Sequence, residues 1–227
     1  ILNPHDEVII IAPYWAPYPE IIKMCYGVPV VVPPENETFI PRFEKIEHTV
    51  TPNTRAIILN SPNNPSGIIY PPELIAELVE YCERKSLYLI CDDIYHKLIF
   101  DRNVVSPAWQ FATRDVENSH VVVVNSVAKL YGMTGFPVGW VIAPRHLVQV
   151  MTNVQGQITS CVSPILQAAA EGALNGLQSV VEILRLQMQN NRDAFLNEMK
   201  SFRGVRLIPP QGTFYALPDL SIYSNNS

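Results

Sequence analysis

A lysine, an aspartate pair and an asparagine cluster each stand directly behind an apolar run. Lys129 lies in SVAKLYGMTGF, which follows the uncharged run 121–124. A lysine in a small-residue loop at a strand end can be partly desolvated, which lowers its pKa and makes it a Schiff-base nucleophile. Asn64 lies in NSPNNPSG behind the apolar stretch 56–59, and Asp92 and Tyr95 lie in DDIY behind 87–91. Open α/β sheets gather ligands at the carboxyl ends of such strands. Three of these ends are therefore expected to meet at one crevice.

The residue types suit pyridoxal phosphate. A carboxylate such as Asp92 against a pyridine nitrogen keeps that nitrogen protonated, so the ring can take up the electron pair of a substrate carbanion. Tyr95 and Asn64 can hydrogen-bond the phenolic oxygen, and the Ser126 hydroxyl can donate to the phosphate. Trp15, in PYWAPYP, can stack on the ring face, and Tyr14 or Tyr18 could take the same part. Each segment also has an ordinary use: NPSG as a turn, the aspartates as a helix cap, Trp15 in a core, Ser126 as a turn cap.

In that order the motifs DEVII, PYW, GVPVVV, NSPNNPSG, CDDIY and NSVAKLYGMTGF resemble those of class I/II, fold-type I aminotransferases, the bacterial aspartate and aromatic members above all. The resemblance runs from about residue 6 to residue 220. It implies a mostly parallel sheet sandwiched by helices, followed by the start of a small α+β C-terminal domain. It implies that Lys129 is the Schiff-base lysine, Asp92 the pyridine-nitrogen partner, Tyr95 and Asn64 the phenolic-oxygen partners, Trp15 the stacking ring and Ser126 a phosphate donor. Lys129, Asp92 and Tyr95 form the expected catalytic group. The implied reaction moves an amino group from an α-amino acid to a 2-oxo acid, in a cytoplasmic homodimer. A carbon–sulfur lyase would need the same lysine and aspartate, and a catalytically impaired fragment or paralogue is the alternative of another class.

Two departures bear on that last alternative. Eight residues beyond its lysine the family carries an arginine on the cofactor phosphate, where this chain has Pro137. Proline offers neither charge nor backbone donor. Another basic residue, for example Arg145, could serve the phosphate instead. Whole members of the family are also much longer, so the chain, which does not open on methionine, reads as an internal fragment or truncated copy.

The elements that must position these residues alternate. Strands are expected at 8–11, 28–32, 55–59, 87–91, 121–124 and 138–142, the last running against the others by family resemblance. Helices are expected near 19–26 and 41–48 and over 72–85, where Pro72 suits a first helical position and Leu74, Leu78, Tyr81 and Cys82 share a face. Leu177, Val181, Leu184, Met188, Phe195, Met199 and Phe202 mark a long helix stopped by Gly204. Residues 213–217 look strand-like. The division expected is 1–177 for the cofactor-binding domain and 178–227 for the linking helix and the start of the second domain.

Composition agrees with a globular α/β chain. Its 227 residues are 48% hydrophobic and 16% charged, with net charge -5, which leaves no basic footprint for nucleic acid. No apolar stretch has the ~20 residues of a membrane span. Cys25, Cys82, Cys91 and Cys161 lack CxxC spacing and the five histidines form no ligand motif, so no metal and no disulfide framework are expected. His96 reads as a surface or core histidine.

Overall fold

Short runs of valine, isoleucine and leucine form the strands, because branched side chains pack well on a pleated surface buried on both sides. The computed structural model describes residues 1–35 and 38–223. The tail of the second expected domain, 224–227, lies outside the described residues. Strands β1 (Glu7–Ile11), β2 (Val28–Val32), β3 (Thr54–Asn60), β4 (Tyr88–Asp92), β5 (Val121–Ser126) and β6 (Gly139–Ile142) form one sheet in the order β2-β1-β3-β4-β5-β6. All pairings are parallel except β5 with β6.

Both faces are covered, as a parallel sheet requires. On one, Ile9, Ile57, Leu89 and Val121 pack with Ile46 of α2 (Phe43–Thr49) and with Leu74, Ile75 and Leu78 of α3 (Pro72–Lys85). Each such side chain removed from water contributes about 1.5–3 kcal/mol. On the other, Val8, Ile10 and Ala56 meet Tyr18 and Ile22 of α1 (Pro17–Met24). Val122 meets Leu147 of a later helix (Arg145–Ile158) on that face. Between these two helices the carboxyl end of the sheet is left open. Val124 is 40% exposed although its strand neighbours Val122 and Val123 are buried.

Helix α3 keeps the bounds expected of it, with Pro72 in its first turn and Ser86 closing it in a left-handed conformation. The four-residue α4 (Val127–Leu130) carries Lys129. Residues 145–175, where no element is expected, form α5 (Arg145–Ile158) and α6 (Pro164–Asn175). The long helix is α7 (Ser179–Met199). It ends at Met199, short of Gly204, and its buried stripe is narrower than expected: Val181 is buried, while Phe195 and, beyond the helix, Phe202 are exposed.

Residues 213–217 form no strand; the residue before them, Gly212, makes an isolated bridge to Ile99. Thr213 has φ +66, which breaks an extended run, and its N–H donates to Leu98 O at 2.8 Å. The segment before it is wedged between the loops that follow β3 and β4. Gln211 N–H donates to Gly67 O at 2.8 Å, Gln211 Oε1 accepts from Ile69 N–H at 2.9 Å, and Phe100 N–H donates to Gln211 O at 2.8 Å. Gly67 has φ +71, and a Cβ there would lie 2.5 Å from Pro210 Cβ, so only glycine fits under this strap.

Candidate functional site

Register brings the site together. Asn60 of β3 pairs with Asp92 of β4, and Asp92 with Val124 of β5, so the three side chains are lateral neighbours on the face that also carries α1. The chain leaves β1 toward β2 on one side and returns to β3 on the other. Loops after β1 and β3 therefore flank a topological switch point. Asn63 Nδ2 joins them by donating to Pro13 O at 3.1 Å.

Asp92 is held from two sides. Tyr18 Oη donates to Asp92 Oδ2 at 2.6 Å, and Asn60 Nδ2 donates to the Asp92 carbonyl at 2.8 Å. The same Asn60 side chain accepts the Asn64 N–H at 2.7 Å on Oδ1. One amide thus ties the strand end bearing Asp92 to the turn bearing Asn64. Burial raises the Asp92 carboxyl, while the hydrogen bonds from Tyr18 and from the Ile94 N–H pull it back down. For Asp93, burial and the neighbouring Asp92 charge push the carboxyl up to about 7. The Asp93 carboxyl is therefore partly neutral at neutral pH.

Tyr95 is buried and meets two partners. Asn64 Nδ2 lies 3.5 Å from its hydroxyl, a long contact, and Tyr95 Oη donates to Tyr215 Oη at 3.3 Å. Burial first, and Tyr215 second, hold the Tyr95 phenol well above its ordinary value. Phe214 and Tyr215 arrive on the strap, and the Phe214 ring centroid lies 5.9 Å from Lys129 Nζ. Among the described residues Lys129 Nζ has no hydrogen bond or ion pair, while the Lys129 carbonyl accepts the Gly132 N–H at 3.3 Å.

Ser126 caps α4 by accepting the Ala128 N–H at 3.1 Å. That use leaves its own O–H free to donate. Trp15 is 41% exposed and stands edge-on to Tyr18, with ring centroids 5.4 Å apart, at the rim of the open face. His96 is half-buried, with Nδ1 2.8 Å from the Asp93 carbonyl, so it braces the loop after β4.

Asn64, Asp92, Tyr95, Ser126 and Lys129 all stand at the carboxyl ends of β3, β4 and β5 or on the short segments that follow them. Trp15 stands on the loop after β1. Arg145 does not join them. Because β6 is antiparallel, its Gly139 end lies beside Ser126 and its Ile142 end leads away from the site. Arg145 follows that far end, 88% exposed, with its N–H donating to Glu117 Oε2 at 2.9 Å. Pro137 is exposed two residues before Gly139, at the site end.

Sequence reasoning leaves Asn60 and Tyr215 without a role and Tyr18 with an undecided one. A polar residue closing the otherwise apolar run AIILN is the available signal for Asn60; nothing local marks Tyr215.

The architecture defines an α/β protein whose ligand site lies at strand ends across a switch point. Comparison with known proteins narrows the class. The family described as "Aminotransferase class I and II" matches residues 1–226, and the chain belongs to it. It is 36% identical over 231 residues to a probable aspartate/prephenate aminotransferase of Thermus aquaticus, covering all of this chain and 58% of that protein. It is 38% identical over 217 residues to an aspartate aminotransferase of Rhizobium meliloti, covering 94% and 52%. Among solved structures, an aspartate aminotransferase double mutant of Thermus thermophilus superposes with a TM-score of 0.90 at 34% identity, over 99% of this chain and 58% of that one. The sheet and its helices are thus the large domain of fold-type I. The chain spans about 58% of the length of the Thermus aquaticus relative.

Proposed function

We propose that the protein of which this chain is part transfers an amino group from an α-amino acid to a 2-oxo acid with pyridoxal phosphate as cofactor. The observation that carries this reading is the Asp92 carboxylate, gripped at Oδ2 by Tyr18 and across β3–β4 from the Asn60–Asn64 clamp. A carboxylate beside an amide and a phenol matches the two polar edges of a pyridine ring that carries N–H and a phenolate oxygen. When bound, the cofactor supplies a protonated aromatic ring that takes up the electron pair released at the substrate α-carbon.

The side chains divide the remaining work. Lys129 Nζ would hold the cofactor covalently and, once free, accept and return a proton at the substrate α-carbon. Asp92 would keep the ring nitrogen protonated. Tyr95 and Asn64 would donate to the phenolic oxygen, Ser126 to the phosphate, and Trp15 would cover one ring face. The names of the relatives support amino transfer and make aspartate the first donor to assay. Residues 1–177 form the cofactor-binding unit in this reading, 178–227 the link to a second, and the whole protein a cytoplasmic homodimer. Among the described residues no helix is long and apolar enough to cross a membrane.

The test is amino-acceptor dependence in the full-length protein. Keto acid should form from aspartate or another α-amino acid only when a 2-oxo acid is supplied. Ammonia or sulfide released without an acceptor would contradict transfer.

Pro137 gives a second expectation. Hydrogen bonds to charged groups contribute about 1.5–3 kcal/mol, so one restored guanidinium contact corresponds to roughly tenfold to hundredfold in affinity. Pro137→Arg should tighten pyridoxal phosphate binding to apoprotein by that factor. An unchanged or weaker dissociation constant would mean that another group serves the phosphate, and Arg145 is at the wrong end of β6 to be it.

A further inference from the structure

Tyr18 comes from α1, outside every strand end that the chemistry uses, yet its phenol reaches the central carboxylate. Its ring is buried among Val8, Ile10 and Ile22. Its 2.6 Å bond to Asp92 Oδ2 is in the short range of charge-assisted O–H···O⁻ contacts. The other oxygen, Oδ1, receives the Ile94 N–H only at 3.4 Å, beyond the ordinary range for an amide donor. Asn60 fixes the Asp92 main chain. The backbone and one carboxylate oxygen are therefore committed, and Oδ1 keeps acceptor capacity.

We infer that Tyr18 is a positioning residue for Asp92: its phenol keeps this carboxylate ionised and leaves Oδ1 to receive the ring N–H of the cofactor. The inference rests on the pyridoxal phosphate reading above. With the cofactor bound, one proton would be shared by Asp92 Oδ1 and the ring nitrogen, and its transfer from one to the other would need no other change in charge or electrons. A donor on Oδ2 stabilises the carboxylate and so favours the proton on nitrogen. Burial and the Asp92 charge hold the Tyr18 phenol far above its ordinary value, so it stays a donor across the working pH range. Removing the hydroxyl shifts the proton toward Asp92. A tyrosine that merely filled space would affect stability and leave the proton where it was.

The experiment uses full-length holoenzyme reconstituted with pyridoxal phosphate carrying ¹⁵N in the ring. Wild type should show the resonance of a protonated ring nitrogen. Tyr18→Phe, which keeps the packed ring, should move it toward the unprotonated position. Selective 3-fluorotyrosine at position 18, a stronger donor of nearly the same size, should move it the opposite way or hold it fully protonated, and it decides the matter if the phenylalanine variant does not fold. A Tyr18→Phe holoenzyme with the wild-type resonance would overturn the inference, as would a fluorotyrosine protein shifted toward unprotonated nitrogen. Failure of wild type to bind the labelled cofactor is a separate result, because it overturns the functional reading itself.

Discussion

Lys129→Ala should reduce amino transfer by about 10³- to 10⁴-fold while leaving the fold intact, because one amine is asked both to hold the cofactor and to carry the α-proton. The fold should survive because Nζ carries no hydrogen bond or ion pair among the described residues, and the Phe214 ring that it faces lies 5.9 Å away. At that distance an exposed cation–π contact is worth about 0.5–1 kcal/mol, too little to unfold a domain. Single-turnover rates with and without the substitution, beside a thermal melt, check both halves. A variant that keeps wild-type turnover, or one that fails to fold, would contradict this assignment.

Asp92→Ala should leave cofactor attachment possible but slow removal of the α-proton by about 10²- to 10³-fold, the size of effect seen when a preorganised group aimed at developing charge is lost. The ring would lose the carboxylate that keeps its nitrogen protonated. Tyr18 would lose its acceptor and Asn60 would keep its backbone contact, so the strand end should hold its register. Asp93→Ala is expected to be the mild change. Alternation along the chain turns Asp93 away from the face shared by Asn60 and Val124, and its carboxyl, pushed up to about 7, is partly neutral at physiological pH. Pre-steady-state rates with α-deuterated and protiated substrate report the step directly. If Asp93→Ala were the damaging substitution, the pyridine-nitrogen partner would be Asp93 and the site would be displaced by one residue.

How far the sequence foretells this arrangement depends on the range of the interaction concerned. The strands are legible because each is a short apolar run bounded by turn-forming or polar residues such as proline, glycine, asparagine, serine or aspartate, and α3 because proline, an apolar face and a closing residue agree. Asn64, Asp92, Tyr95 and Lys129 are legible for the same reason: they follow those runs directly. Tyr18, Asn60 and Tyr215 act across 74, 32 and 120 residues of chain, and no local pattern encodes such contacts. Their roles come from register and from the strap.

Departures from the expected elements have equally specific causes. In α5, Leu147, Met151, Val154 and Ile158 recur at helical spacing, a signal that the expected elements leave out, while the valines, Thr152 and Gly156 lower helix propensity and Val150, Val154 and Ile158 are exposed. In α7, Arg185 and Arg192 take inward positions that apolar residues would otherwise fill. Arg192 reaches Asp101 Oδ2 at 2.5 Å and Pro210 O at 3.0 Å, which fixes the strap to the helix. Residues 213–217 have the composition of a strand, but the left-handed Thr213 turns the chain so that Phe214 and Tyr215 enter the site.

Everything proposed for the site depends on Lys129 holding the cofactor. Full-length protein saturated with pyridoxal phosphate, reduced with borohydride and mapped by peptide mass spectrometry tests this most directly. The pyridoxyl group should be found on the peptide containing Lys129. A label on Lys200, or no label at all, would contradict that role.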